Sequence, residues 1–151
     1  LNLIAIDPGK SGGIVWTNLD GTVSALKMPQ TPLDILNALR DRAETSSRLV
    51  CYIEKVGSSR PGNSAKSSTT FARHCGHLDM ALLAAEVSTI QVTSQKWMKF
   101  LGIPGGLDLK DRKSRIKDAM QRRYPYLRVT DWSADALGIL TYAIDRKGEG
   151  K

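Results

Sequence analysis

Leu3-Ile4-Ala5-Ile6-Asp7-Pro8-Gly9-Lys10-Ser11-Gly12-Gly13 is the stretch on which the fold turns. Four consecutive apolar residues read as a buried strand. The run ends on a carboxylate and opens at once into a turn rich in Pro, Gly and Ser. A second run, Leu49-Val50-Cys51-Tyr52-Ile53, closes on Glu54 in the same way. A carboxylate at the end of a buried strand is costly unless something pairs it, so two such ends in one chain call for a common explanation.

Working outward, Leu3–Asp7, Gly13–Asn18 and Thr22–Met28 read as three consecutive strands, with Asp20-Gly21 marking a hairpin. Thr31-Pro32 starts a helix: Thr31 is the N-cap, Pro32 takes the first position and Asp34 lies near the positive end of the dipole. Ile35, Leu36 and Leu39 form its apolar face. Leu49–Glu54 is the fourth strand. Lys55–Thr70 then reads as one long loop, with five serines, two glycines, one proline and the cations Lys55, Arg60 and Lys66. A helix follows with Phe71, Cys75, Leu78 and Leu82 on one seam. A strand at Thr89–Val92 and a helix at Gln95–Leu101 come next, then a turn at Gly102–Gly106. A basic helix from Lys110 to Tyr124 is stopped by Pro125, and the last helix, Ala134–Ile144, turns Ala136, Leu137, Leu140 and Ile144 to a core. The order β-β-β-α-β-α-β-α-α predicts an α/β fold, a mixed sheet with helices on both faces, and residues 1–151 are expected to form one domain. Ligands in such sheets bind near the carboxyl ends of the strands, where Asp7 and Glu54 both fall.

Asp131 and Asp135, four apart at the start of the last helix, complete a set of four acids. Carboxylates converging on one spot repel, and divalent cations are the usual remedy. With a net charge of +7 and a pI near 9.6 the chain attracts polyanions, and acids and charge together read as phosphodiester hydrolysis on nucleic acid. Between Asp108 and Arg128 there are eight Lys or Arg against three Asp. Lys110, Arg112, Lys113 and Lys117 there, with Arg60 and Lys66 in the loop, are the expected DNA contacts; a solvated amphipathic face is the plain alternative. Asp131 has an alternative role as the N-cap of the last helix. His74 and His77 have no third ligand at zinc spacing and are expected to be surface or DNA-facing. Trp97 and Trp132 read as core or interface anchors and Trp16 as strand packing. No Ser-His-Asp or Cys-His arrangement implies a covalent intermediate. Cys51 and Cys75 lack paired spacing and suggest reduced thiols. The stretches Met80–Ala85 and Ala136–Ile144 are too short to span a bilayer, so no membrane role is expected.

Ile4-Ala5-Ile6-Asp7-Pro8-Gly9 with Ser11-Gly12-Gly13, then Tyr52-Ile53-Glu54 followed by a loop and a helix, then Ala134-Asp135-Ala136-Leu137, resemble in order and separation the RuvC-type Holliday junction resolvases. The resemblance covers nearly the whole chain. It implies a ribonuclease H-like fold and a structure-selective endodeoxyribonuclease that resolves four-way DNA junctions by paired symmetric cuts, as a homodimer. It also implies two Mg²⁺ ions, with Mn²⁺ able to substitute, held by Asp7, Glu54, Asp131 and Asp135. Asp7, on the first strand, would bridge them. Lys110 or Lys113 would set positive charge near the reacting phosphate. Bacterial members commonly place the last two acids three apart, a position occupied here by Trp132; the spacing of four resembles phage-type relatives and the plastid resolvases. Where bacterial members carry a stacking aromatic, this chain reads Val56-Gly57-Ser58-Ser59-Arg60, with none before Phe71. The seam Phe71–Leu82, with Gly76 permitting close contact, is the dimerisation candidate; its alternative is to cover the sheet. The expected compartment is the cytoplasm of a bacterial or phage-infected cell, or else an organelle matrix. Two other readings stay open: a RuvX-type nuclease acting on RNA precursors, and a non-catalytic nucleic-acid-binding module.

Overall fold

The computed structural model describes residues 2–46, 48–57 and 62–148. In chain order the elements are β1 (Asn2–Asp7), β2 (Gly13–Thr17), β3 (Val23–Lys27), α1 (Pro32–Glu44) and β4 (Leu49–Glu54). They continue with α2 (Ala65–Ala84), β5 (Ser88–Val92), α3 (Ser94–Phe100), α4 (Leu109–Arg123) and α5 (Asp131–Gly148). Among the described residues one sheet forms, in the order β3-β2-β1-β4-β5. The first three strands are antiparallel hairpin neighbours, whereas β4 and β5 run parallel to β1 after their crossover helices.

Alternation along the strands divides the core into two. Leu3, Ala5, Val15, Tyr52 and Val92 pack with Trp97, Ile116, Met120, Leu137 and Leu140 from α3, α4 and α5. Ile4, Ile6, Ile14, Cys51 and Ile53 pack on the other face with Ile35 and Leu39 of α1 and Leu78 and Leu82 of α2. Helices therefore cover both faces. Because β1 and β4 are apolar on both sides, their sequences show no alternation of apolar and polar residues.

Ala136, Leu137, Ile139, Leu140 and Ala143 of α5 are all fully buried, since the helix lies between the sheet and its helical neighbours. Burying Leu137, Ile139 and Leu140 stabilises the fold by roughly 1.5–3 kcal/mol each. The chain entering α5 is fixed by polar contacts. The Gln121 amide donates to the Leu127 carbonyl at 2.8 Å and accepts from the Val129 N–H at 3.1 Å. Tyr126 Oη accepts the Val23 N–H at 2.9 Å, tying this segment to β3. Tyr124 Oη and Thr141 Oγ1 meet at 2.9 Å in the interior.

Thr31 caps α1 through the Asp34 N–H, with Pro32 as the first helical residue, as its sequence predicts. Two expectations are corrected. The Lys55–Thr70 segment is not a loop throughout: α2 begins at Ala65, capped by Ser64 Oγ accepting from the Ser67 N–H at 3.2 Å. Its first turn is exposed and polar, so no apolar periodicity announces it. Asp131 is not the N-cap of α5 but its first residue. Thr130 takes the cap position, its carbonyl accepting from Ala134 N–H, while Ser133 Oγ reaches back to Thr130 N–H at 3.0 Å. On the α2 seam Leu78 and Leu82 are buried under α1 against the sheet, Phe71 and Cys75 are half-buried, and Ala72, Met80 and Leu83 beside Gly76 face solvent. No helix among the described residues is long and apolar enough to cross a membrane. Cys51 is buried and Cys75 half-buried, both as free thiols.

Candidate active site

Strand parity decides which way the first two acids face. Asp7 follows Leu3 and Ala5 in the alternation and Glu54 follows Tyr52, so both belong to the face covered by α3, α4 and α5. Ile6 pairs with Ile53 in parallel register, which sets the next residues, Asp7 and Glu54, side by side at the carboxyl ends of neighbouring strands. The first turn of α5 comes down on that edge and carries Asp131 and Asp135 one helical turn apart. All four carboxylate residues line one cavity of about 260 Å³, together with Lys10, Ser11, Phe71 and Lys113.

Each wall has a packing reason. A Cβ on Gly12 would run into the Asp7 carbonyl and lie 3.3 Å from Asp7 Oδ2, so the turn closes on Asp7 only with glycine there. A Cβ on Gly13 would lie 2.7 Å from the Trp132 carbonyl oxygen and 2.9 Å from its ring. Trp132 is thus the wedge that seats the start of α5 on β2. Glu54 Oε2 accepts a hydrogen bond from Trp97 Nε1 at 2.9 Å. Trp97 is fully buried, and Gly138 makes room for it, because a Cβ there would stand 2.7 Å from the indole. Asp131, whose side chain is 74% exposed, pairs with Lys117 Nζ at 3.1 Å.

The expected nucleic-acid contacts separate in space. Of the two lysines left open by the sequence, Lys113 lines the cavity and Lys110, exposed near the start of α4, does not. Lys117 is engaged by Asp131. Arg112 is half-buried on α4. Lys66 lines a different cleft, and Arg60 lies outside the described residues. Sequence reasoning misses two residues of this site. The seam pattern points Phe71 to an interface, yet it stands at the cavity; Trp97 is in the core, as its sequence suggests, but its N–H serves Glu54. A polar atom on a buried aromatic is the signal that flags Trp97. Of the two expectations for His74, a surface position is corrected, since it is buried, and its side chain lines two clefts.

Four carboxylates form a set of hard oxygen donors, the kind that suits Mg²⁺ or Mn²⁺ and not a thiolate-seeking metal. Their type and common cavity fit divalent ions. Their spacing is open: among the described residues no three His, Cys, Asp or Glu side chains stand close enough to hold one ion together. Glu54 is bonded to Trp97 of α3 and Asp131 to Lys117 of α4.

A mixed five-stranded sheet in this order, with helices on both faces, defines the ribonuclease H-like class of α/β fold. Within it the chain has a RuvC-like fold. It is similar to Thermus thermophilus RuvC, with a TM-score of 0.59 and 16% identity over 98% of this chain and 97% of that one. It is also similar to T. thermophilus RuvC in complex with a Holliday junction substrate, with a TM-score of 0.63 and 14% identity over 92% and 89% of the two chains. At these identities the likeness establishes the fold. No protein-family model and no curated protein sequence matches the chain.

Proposed function

We propose that this chain is a divalent-metal-dependent endonuclease that resolves four-way DNA junctions by paired symmetric phosphodiester hydrolysis, acting as a homodimer. The observation that carries this reading is the convergence of Asp7, Glu54, Asp131 and Asp135, from two strands and a helix, on one cavity beside Lys113. The RuvC-like fold, in a relative solved on a Holliday junction, and the net charge of +7 support it. The four-residue spacing of Asp131 and Asp135 supports the phage- or plastid-type variant.

In this reading the four carboxylates hold two Mg²⁺ or Mn²⁺ ions, which when bound neutralise the phosphate and supply an activated water. The chain does the rest. Trp97 holds the Glu54 carboxylate in position at the cavity wall through its indole N–H. Lys113 places a cation where negative charge grows on the phosphate. Phe71 offers an aromatic face at the mouth, and Lys110 and Arg112 contact phosphates along α4. The stripe of Ala72, Gly76, Met80 and Leu83 on α2, with Met80 61% and Leu83 70% exposed, supplies a self-complementary surface for the dimer.

The test is a synthetic four-way junction beside a matched linear duplex, each with Mg²⁺, Mn²⁺ or chelator. Symmetric nicks in the junction alone, abolished by chelator, are expected. Preferential cutting of single-stranded RNA by a monomer would transfer the chain to the RuvX-type reading. Junction binding without cleavage in any metal would make it a binding module.

A further inference from the structure

We propose that the cleft between α2 and the segment joining β3 to α1, beside the turn after β1, binds the phosphodiester backbone of the DNA strand that leaves the catalytic cavity. This rests on the reading of that cavity as a nucleic-acid site. The cleft holds about 460 Å³ and is lined by Lys10, Gln30, Lys66, Arg73, His74 and His77, with no carboxylate in its lining. An adjoining cleft of about 350 Å³ shares Lys10, Lys66, Thr70 and His74 and adds the hydroxyls of Ser64 and Ser67. Lys10 and Phe71 line both this second cleft and the catalytic cavity, so the three form one continuous path.

Cationic residues gathered without acids repel each other, and an anion is what relieves them. A merely solvated basic surface would have the same charges, but not His74. That residue is only 7% exposed, and its Nε2 is buried without a hydrogen-bond partner while its side chain lines both clefts. Burial first, then His77 and Lys10, hold its pKa below the ordinary histidine value. Hydroxyls and cations along a groove, with an aromatic where it meets the acids, suit a polymer backbone with bases attached better than an isolated ion.

The experiment uses the full chain and the double variant Lys66→Ala/Arg73→Ala, both positions being exposed on α2 and outside the catalytic cavity. Binding to a four-way junction and to linear duplex is measured in chelator over a salt series. With two fewer phosphates neutralised, the slope of log K against log salt should fall by about 1.8, and affinity near 0.1 M salt by about 60-fold. An unchanged slope and affinity would overturn the proposal, as would a wild type that binds no DNA. His74 ring resonances should shift in the wild type with a short duplex and stay still in the double variant. A shift produced by inorganic phosphate and not displaced by DNA would make the cleft a free-anion site and likewise overturn it. The nuclease reading is scored separately: a wild type that binds but never cuts sinks that reading, while the salt slope still decides the cleft.

Discussion

Replacing Trp97 by Phe removes one N–H from Glu54 and keeps an aromatic in the core. A hydrogen bond to a charged acceptor contributes about 1.5–3 kcal/mol. The smaller ring also leaves a gap beneath α5, where Gly138 already abuts the indole at 2.7 Å for an added Cβ; that gap costs about 1–2 kcal/mol. The sum is about 3–5 kcal/mol, or a fall in Tm of roughly 6–20 °C for a chain of this size. Stability alone would not identify a positioning residue. The decisive assay is the Mg²⁺ concentration giving half-maximal cleavage, measured where the variant is fully folded. It should rise, because Glu54 is no longer held toward the cavity. Leu39→Ala is the control: Leu39 is fully buried on the opposite face of the sheet, and its truncation costs about 2–5 kcal/mol. If Trp97→Phe and Leu39→Ala titrate with metal alike, the Trp97–Glu54 bond has no part in the site.

Gly138→Ala should destabilise by about 1–3 kcal/mol through overpacking and weaken cleavage in the same metal-dependent way, since the added carbon displaces Trp97; denaturant midpoints and metal titration check it. Gly12→Ala should abolish cleavage in a folded protein, because its Cβ collides with Asp7 backbone; retained activity would show that the turn has slack. The lowered His74 pKa gives a signed pH dependence: its stabilising contribution is complete above the ordinary value of 6.5 and is lost as pH falls through the folded value. Urea midpoints in the absence of DNA should therefore decline below pH 6.5, and less steeply for His74→Gln. Asp7→Asn should shrink the rise in Tm produced by Mg²⁺. For the wild type that rise corresponds to about 2.7 kcal/mol at a concentration 100 times Kd, and equal rises in both proteins would exclude Asp7 as a ligand.

The fold was legible where local chemistry and tertiary context agree. Leu49–Glu54 has the strand bounds that its apolar run predicts, and Thr31-Pro32 caps α1 with a side chain that has no better use. Legibility failed where neighbours decide. The first turn of α2 is polar and exposed, so Ser64 is its only local signal. Asp131 and Thr130 are both good caps, and the choice between them is made by Ser133 reaching back to Thr130. The positions of Asp7 and Glu54 at strand ends could be read directly, because parity and register follow from the runs themselves. Which lysine reaches the cavity could not, since Lys110 and Lys113 lie on adjoining parts of one helix and only the docking of α4 on α5 selects Lys113. The partners of Glu54 and Asp131 were likewise invisible, because Trp97 and Lys117 come from elsewhere in the chain.

That pairing has a physical logic. Four converging acids without cations would raise the energy of the empty protein, and the fold lowers it by giving at least two of them partners within the chain. The two partnerships are unequal. The Lys117–Asp131 pair is exposed and is worth at most about 1 kcal/mol, screened by salt, so a divalent ion can displace it. The Trp97–Glu54 bond is anchored by a fully buried indole, so it is the more persistent of the two. Should the site take divalent ions as proposed, Asp131 is the acid expected to move on filling, and Glu54 the one expected to stay in place. Lys117 lies on the same helix as Lys113, and that movement would release it to a phosphate. The basic helix and the acidic site are in contact through this pair, so filling the one would free a cation on the other.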